Sequence, residues 1–217
     1  MANINNIGIC KLCQNEKELM ESHIIPSFAL RWLKKTSVTG FLRTVLEANK
    51  RVEDGRKQKL LCKECEEIFN KSETQFAKKV YYPYVEKELD VAGIAQGVIK
   101  DIQYEDWLLR LIISVHWRLI VVRSSDTESK IPEHLFKRIL EFEQSARDFL
   151  LNKSDNSGNN ESHIFFLQNL AAGSGSLPKG MNEKTNHYLL RAIDGTPVNS
   201  SKSVAMYSKL GPIAFFT

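Results

Sequence analysis

The spacing of hydrophobic positions changes along this chain, from scattered, to helical, to alternating. Over the first 80 or so residues, short apolar groups sit among charges. A short helix is predicted over 27–33, where Pro26 suits a first helical turn. The stretch 41–52 fits neither period, and Glu53, Asp54, Gly55 and Arg56 then read as a turn. From Glu66 onward Phe69, Phe76 and Val80 recur at helical spacing, with Lys71, Glu73, Lys78 and Lys79 on the other faces. Pro83 is expected to end that helix, because proline lacks the N–H that an interior turn needs. The run 107–122 is apolar nearly all round, as in a buried core helix. Leu135, Ile139, Phe142, Ala146, Phe149 and Leu150 mark one face of a second helix, opened by Pro132 and ending near Leu151.

A polar run over 152–160 reads as a loop, and the period then changes. Short strands are predicted over 164–167, 188–193, 204–207 and 213–216, with turns at Asp194-Gly195 and Gly211-Pro212. The last of these is apolar to the final residue and is expected to be paired inside a sheet. The pattern predicts an α+β fold: a zinc module over 1–85, then a helical middle and a small antiparallel β-rich part making up 86–217. No internal repeat is visible.

Composition is that of a globular chain, with 42% hydrophobic and 26% charged residues, which excludes wholesale disorder. At 217 residues the chain is long enough to bury a core without disulfides. Thirty Lys and Arg against 26 Asp and Glu give a net charge of +4, which permits a nucleic-acid partner without demanding one. The first residues show no basic stretch followed by an apolar run, so no signal peptide is expected. The apolar run at 107–122 is broken by Arg110, His116 and Arg118 and is short for a bilayer, so no membrane association is expected either. The chain reads as cytoplasmic.

In that reducing setting the four cysteines are read as metal ligands. Cys10 and Cys13 form one C-x-x-C pair, Cys62 and Cys65 another, in an otherwise cysteine-free chain. Each pair puts two thiolates on one tight turn, and two pairs complete a tetrahedron of soft sulfur that favours zinc over magnesium or calcium. Four protein ligands leave no open position, so the ion would be structural. The first knuckle is expected on a hairpin and the second at the opening of a helix, a treble-clef arrangement in which the metal replaces much of the missing core.

The segments CKLC, SHIIP and LLCKECEEIFN together resemble a divergent HNH endonuclease, the ββα-metal form of the treble clef, over roughly residues 8–75. That resemblance implies metal-dependent hydrolysis of phosphodiester bonds in nucleic acid. It makes His23 the general base, and places Glu66 and Asn70, one helical turn apart, beside a catalytic magnesium or manganese ion. Such modules are frequent in bacterial restriction and phage defence, so a role there follows by analogy. Three positions depart from the family pattern. Ser22 stands where the family carries an acidic or histidine ligand, Lys57 where it carries asparagine, and Glu66 where it carries histidine. These departures keep open a second reading: a non-catalytic zinc protein that binds nucleic acid or a protein partner.

Each candidate also has a structural explanation. His23 suits a strand end that hydrogen-bonds its neighbours, and Glu66 and Glu67 suit a helix N-terminus electrostatically. Glu73 is a further candidate for the Glu66 cluster. His116 is read as a core histidine, and His134, His163 and His187 as surface residues. Arg31, Lys34, Lys35, Arg43, Lys50, Arg51, Arg56, Lys57 and Lys59 gather between the knuckles, where cations can meet phosphates. Trp32 and Phe41 lie among them, suited to base stacking but more in keeping with a core.

Overall fold

The computed structural model describes residues 6–44, 47, 49–88, 105–124, 133–158, 160–168, 179, 189–199 and 204–217. Strand β1 (Ile7–Ile9) turns back into β2 (Glu16–His23), and helix α1 (Ser27–Lys35) follows. Strand β3 (Lys57–Cys62) runs directly into helix α2 (Lys63–Phe76). These strands form an antiparallel sheet in the order β1-β2-β3. Helices α3 (Asp106–Ser124) and α4 (Glu133–Leu150) make the middle. Strands β4 (His163–Phe166), β5 (Ile193–Asn199), β6 (Val204–Leu210) and β7 (Ile213–Phe216) form a second antiparallel sheet in the order β4-β7-β6-β5. The fold is therefore mixed helix and antiparallel sheet. No helix among the described residues is long and apolar enough to cross a membrane.

The helical readings of the middle hold. Leu108, Leu111, Ile112, Ile113, Val115 and Trp117 are all buried on α3, and the apolar stripe of α4 from Leu135 to Leu150 is buried as its spacing requires. Pro132 and Tyr188 lie outside the described residues. The apolar final strand, β7, is paired on both sides, by β4 and by β6.

Three local expectations need correction. Pro83 does not end the second helix. The chain widens into π-helical turns at Ala77–Tyr81 and Tyr84–Glu88, and the Tyr82 N–H reaches back five residues to the Ala77 carbonyl. A widened turn accommodates a ring that would otherwise collide with the carbonyl four residues back.

The strand expected over 188–193 begins only at Ile193, because Leu189 to Arg191 form a helical turn. The buried Lys209 Nζ donates to the carbonyls of Leu189, Leu190 and Ala192 at 2.6, 3.2 and 3.0 Å, which satisfies the groups such a turn leaves unpaired.

Asp194-Gly195 is not a turn but lies inside β5, where Gly195 pairs with Ser208. The glycine is there for a close approach: a Cβ at Gly195 would lie 2.5 Å from Leu119 Cδ1 of α3. β5 is an edge strand, which also explains how it tolerates Pro197. Gly211, by contrast, does make its turn, at φ +66°, joining β6 to β7. A Cβ there would meet Trp32 at 2.7 Å.

One continuous apolar cluster runs from Cys10 through α1, α2, α3 and α4 to Phe215. Phe28, Phe76 and Tyr81 form its aromatic centre, with ring centroids 4.8–6.3 Å apart, and Phe215 of β7 packs on Phe76 at 5.6 Å. Trp32 belongs to the same cluster. It packs edge-on to Tyr81, and the Arg191 guanidinium lies 4.9 Å over its ring, so it is a core residue rather than a base-stacking surface.

His116 is fully buried, with Nδ1 2.9 Å from Thr217 Oγ1 and Nε2 2.9 Å from Ser208 Oγ. Hydroxyls both donate and accept, so they satisfy a neutral ring. Burial holds its pKa down at about 3. An unfolded histidine titrates near 6.5. Between those values the unfolded chain takes up a proton that the folded chain refuses. Stability is then expected to fall by up to about 1.4 kcal/mol per pH unit as pH drops below 6.5, with no contribution above it. Urea unfolding of wild type and His116→Gln from pH 7.5 to 4.5 checks this. Parallel stability curves for the two proteins would refute it.

Candidate metal centre and the residues beside it

Cys10 and Cys13 sit in the β1–β2 connection. There the Cys10 N–H donates to Asn15 O at 2.9 Å, the Gln14 N–H donates to Cys10 O at 2.9 Å, and Gln14 takes a left-handed φ of +61°. Cys62 closes β3 and Cys65 lies in the first turn of α2. A bulge in the β2–β3 ladder docks the two knuckles. Met20 pairs with Leu61 and Glu21 with Lys59, so Leu60 is the extra residue. Its carbonyl accepts the N–H of Lys11 at 3.0 Å, and the Cys62 N–H points at Cys10 Sγ at 3.3 Å. Lys17 ties β2 to the second knuckle through Glu64, at 3.0 Å.

The four sulfurs all lie within 4.8 Å of one another, and Cys13 and Cys62 are 3.9 Å apart. A zinc–thiolate tetrahedron with bonds of about 2.3 Å has edges of roughly 3.8 Å. The thiols also perturb one another electrostatically. The thiol of Cys65 donates to Cys10 and draws its pKa down to about 4, while burial pushes Cys62 up to about 11. Cys65 is driven up, first by that hydrogen bond to Cys10 and then by burial. Without a cation, proximity and burial oppose ionising Cys10, Cys62 and Cys65 together. A bound divalent ion removes that conflict. Among the described residues no other group of three or more His, Cys, Asp or Glu converges in this way.

The expected catalytic residues do not gather into one cluster. Ser22 is buried, and its hydroxyl donates to Glu66 Oε1 on the first turns of α2. Asn70 lies one turn further along α2 and is exposed. Glu73 is taken by the buried Arg118, whose Nη2 lies 2.5 Å from its carboxylate. His23, half-buried at the end of β2, faces Asp54, with Nε2 3.0 Å from Oδ1. Lys57 pairs with His23 across the β2–β3 ladder and bonds Asp54 Oδ2 at 2.7 Å. The Lys57 ammonium, and after it the His23 ring, hold the Asp54 carboxyl well below the usual carboxylate range.

Two residues of this constellation are not tied to it by any signal in the sequence. Asp54 stood in a turn, and nothing in its spacing ties it to His23, 31 positions away. Arg118 was visible as a break in an apolar helix, but its partners were not. It donates to the His23 backbone carbonyl at 2.9 Å and lies 5.2 Å over the Phe69 ring.

Much of the basic cluster between the knuckles is engaged. Lys34 pairs with Glu53, Lys35 with Glu86, Lys50 with Glu47 and Lys57 with Asp54. Phe41 carries the Arg51 guanidinium 5.1 Å over its ring. In the second half, His163 is exposed beside Glu161, and Arg191 is spent on α1, bonding Thr36 Oγ1 and the Leu33 carbonyl. The His134 side chain and His187 lie outside the described residues. Comparison with family models, with curated proteins and with solved structures found no match.

Proposed function

We propose that residues 1–85 form a treble-clef module around a structural zinc, and that this module hydrolyses phosphodiester bonds in nucleic acid. The observation that carries the reading is the His23–Asp54 contact of 3.0 Å, at the end of the strand whose preceding residue, Ser22, touches Glu66 at the start of the zinc-anchored helix. The ββα-metal resemblance calls for a histidine base and a helix-borne ligand in these two places. Asp54 is ionised throughout the neutral range and accepts the proton on Nε2 of His23. That fixes the tautomer and leaves Nδ1 as the base for an attacking water. Glu66, with Asn70 one turn on, would hold magnesium or manganese through oxygen. Such an ion supplies charge neutralisation at the phosphate.

The second reading, a non-catalytic zinc module that binds nucleic acid or a protein, is favoured by one observation. Glu66 has a serine hydroxyl beside it rather than a second carboxylate or histidine.

Cleavage assays separate the two. Wild type is incubated with plasmid DNA and with RNA in magnesium or manganese. His23→Ala is expected to lower the rate by about 10²- to 10⁴-fold, the usual worth of a general base, with zinc content and circular dichroism unchanged. Asp54→Asn is expected to give a smaller loss in the same direction. A wild type that holds zinc, stays folded and cuts nothing with either metal would overturn the nuclease reading and leave the second.

A further inference from the structure

We infer that the cavity adjoining the His23–Asp54 pair takes one unpaired nucleobase, so that the substrate of the proposed site is single-stranded nucleic acid or an unpaired stretch within a duplex. The inference rests on the reading of His23 given above. The cavity measures about 290 Å³ and is walled mainly by Ile24, Ile25, Leu30, Leu119, Val122 and Ile193. That is at the small end for ligand pockets, the size for one flat heterocycle rather than for an extended ligand.

Its position connects it to the dyad. Ile24 and Ile25 directly follow His23, Gly55 and Arg56 directly follow Asp54, and the two segments are joined by the Ile24 N–H to Arg56 carbonyl bond at 3.1 Å. The ribbon that holds the base therefore also forms one wall of the cavity. Two glycines bring backbone right against its leucines. A Cβ would lie 2.4 Å from Leu30 at Gly55 and 2.5 Å from Leu119 at Gly195. A side chain at either position would displace the leucine it meets.

The charged groups at the rim suit a nucleotide. Arg56 and Asp194 are both exposed there. A guanidinium matches a backbone phosphate. A carboxylate accepts from an exocyclic amino group such as that of cytosine, which thymine lacks. Asp194 Oδ1 already takes the Gly195 N–H at 2.7 Å, and its second oxygen serves as the acceptor. Aliphatic walls hold a base by its faces without reading its edge. A paired base cannot enter, because its edge is occupied and its faces are stacked.

The test is fluorescence anisotropy with the full chain, without magnesium or manganese, on a labelled 15-nucleotide strand and on the duplex of the same sequence. The strand is expected to bind at least tenfold more tightly. Ile25→Trp, which fills the cavity from a half-buried position, should bring the strand down to the affinity of the duplex. Asp194→Asn should remove a preference of about tenfold for oligo(dC) over oligo(dT). Equal affinity of wild type for strand and duplex, or an Ile25→Trp protein that keeps the preference, would overturn the inference. If Ile25→Trp does not fold, the exposed Asp194→Asn decides. Plasmid cleavage by wild type and Ile25→Trp alike would remove the cavity and leave the role of His23 standing. A strand preference lost in Ile25→Trp, from a chain that cuts nothing, would do the reverse.

Discussion

Cys62→Ser is expected to abolish zinc binding and to unfold the β1–β2 hairpin, β3 and the start of α2 together. Cys62 is the last residue of β3, the N-cap of α2 and the residue whose N–H points at Cys10 Sγ, so one side chain links both knuckles. The buried apolar residues near the cysteines in sequence are Leu12, Leu60, Leu61 and Phe69. Outside them, Ile7, Ile9 and Met20 are about half exposed. Structural zinc in zinc-finger peptides contributes about 10–16 kcal/mol of apparent binding energy at pH 7, as much as the whole stability of an ordinary domain. Serine is a poor zinc ligand at neutral pH, and it leaves three crowded thiols with less to hold them. Metal analysis and urea unfolding check this. Trp117, 5.9 Å from Phe69, gives a fluorescence report from the second knuckle's helix. A chelator should reproduce the effect in wild type. If Cys62→Ser and chelated wild type unfold at the same urea midpoint as untreated protein, the cysteines are ordinary core thiols and the zinc reading fails.

The ease of reading this four-cysteine cluster from sequence has a physical basis. A C-x-x-C knuckle is a local device: four residues fix the turn, and the chemistry of sulfur fixes the class of ion. Helices α3 and α4 were legible for a similar reason, because a buried helix or an apolar stripe shows its period within a few turns. The misreadings came where a distant partner overrides a local habit. Gly195 looks like a turn until Leu119, 76 residues earlier, is seen to need its missing side chain. Pro83 looks like a stop until the helix is seen to widen around it. The same limit governs the site. His23, Glu66 and Asn70 were found through the resemblance alone. Asp54, which lies 3.0 Å from His23, was hidden, because the contact depends on how the insertion between the knuckles folds back.

Arg118→Met should show how strongly the helical middle supports the proposed site. Arg118 is buried to within 2% of complete enclosure and its partner Glu73 is 12% exposed. Removing the arginine strands that carboxylate and also releases the His23 and Ser114 carbonyls. Breaking one side of a buried pair costs about 3–5 kcal/mol, most of it the penalty on the charge left behind. Arg118→Met is therefore expected to lose that much stability. Arg118→Met with Glu73→Leu should recover at least half of it, because the pair is then replaced by apolar volume. The two proteins separate folding from positioning. The double variant is folded but still lacks the anchor on the His23 carbonyl, so on the nuclease reading its cleavage rate stays low while its stability returns. The checks are urea midpoints for wild type, both single variants and the double variant, with plasmid cleavage measured on each. A double variant no more stable than Arg118→Met would show that the loss lies in the carbonyl bonds and not in the stranded glutamate. A double variant with full cleavage would show that His23 holds its place without Arg118.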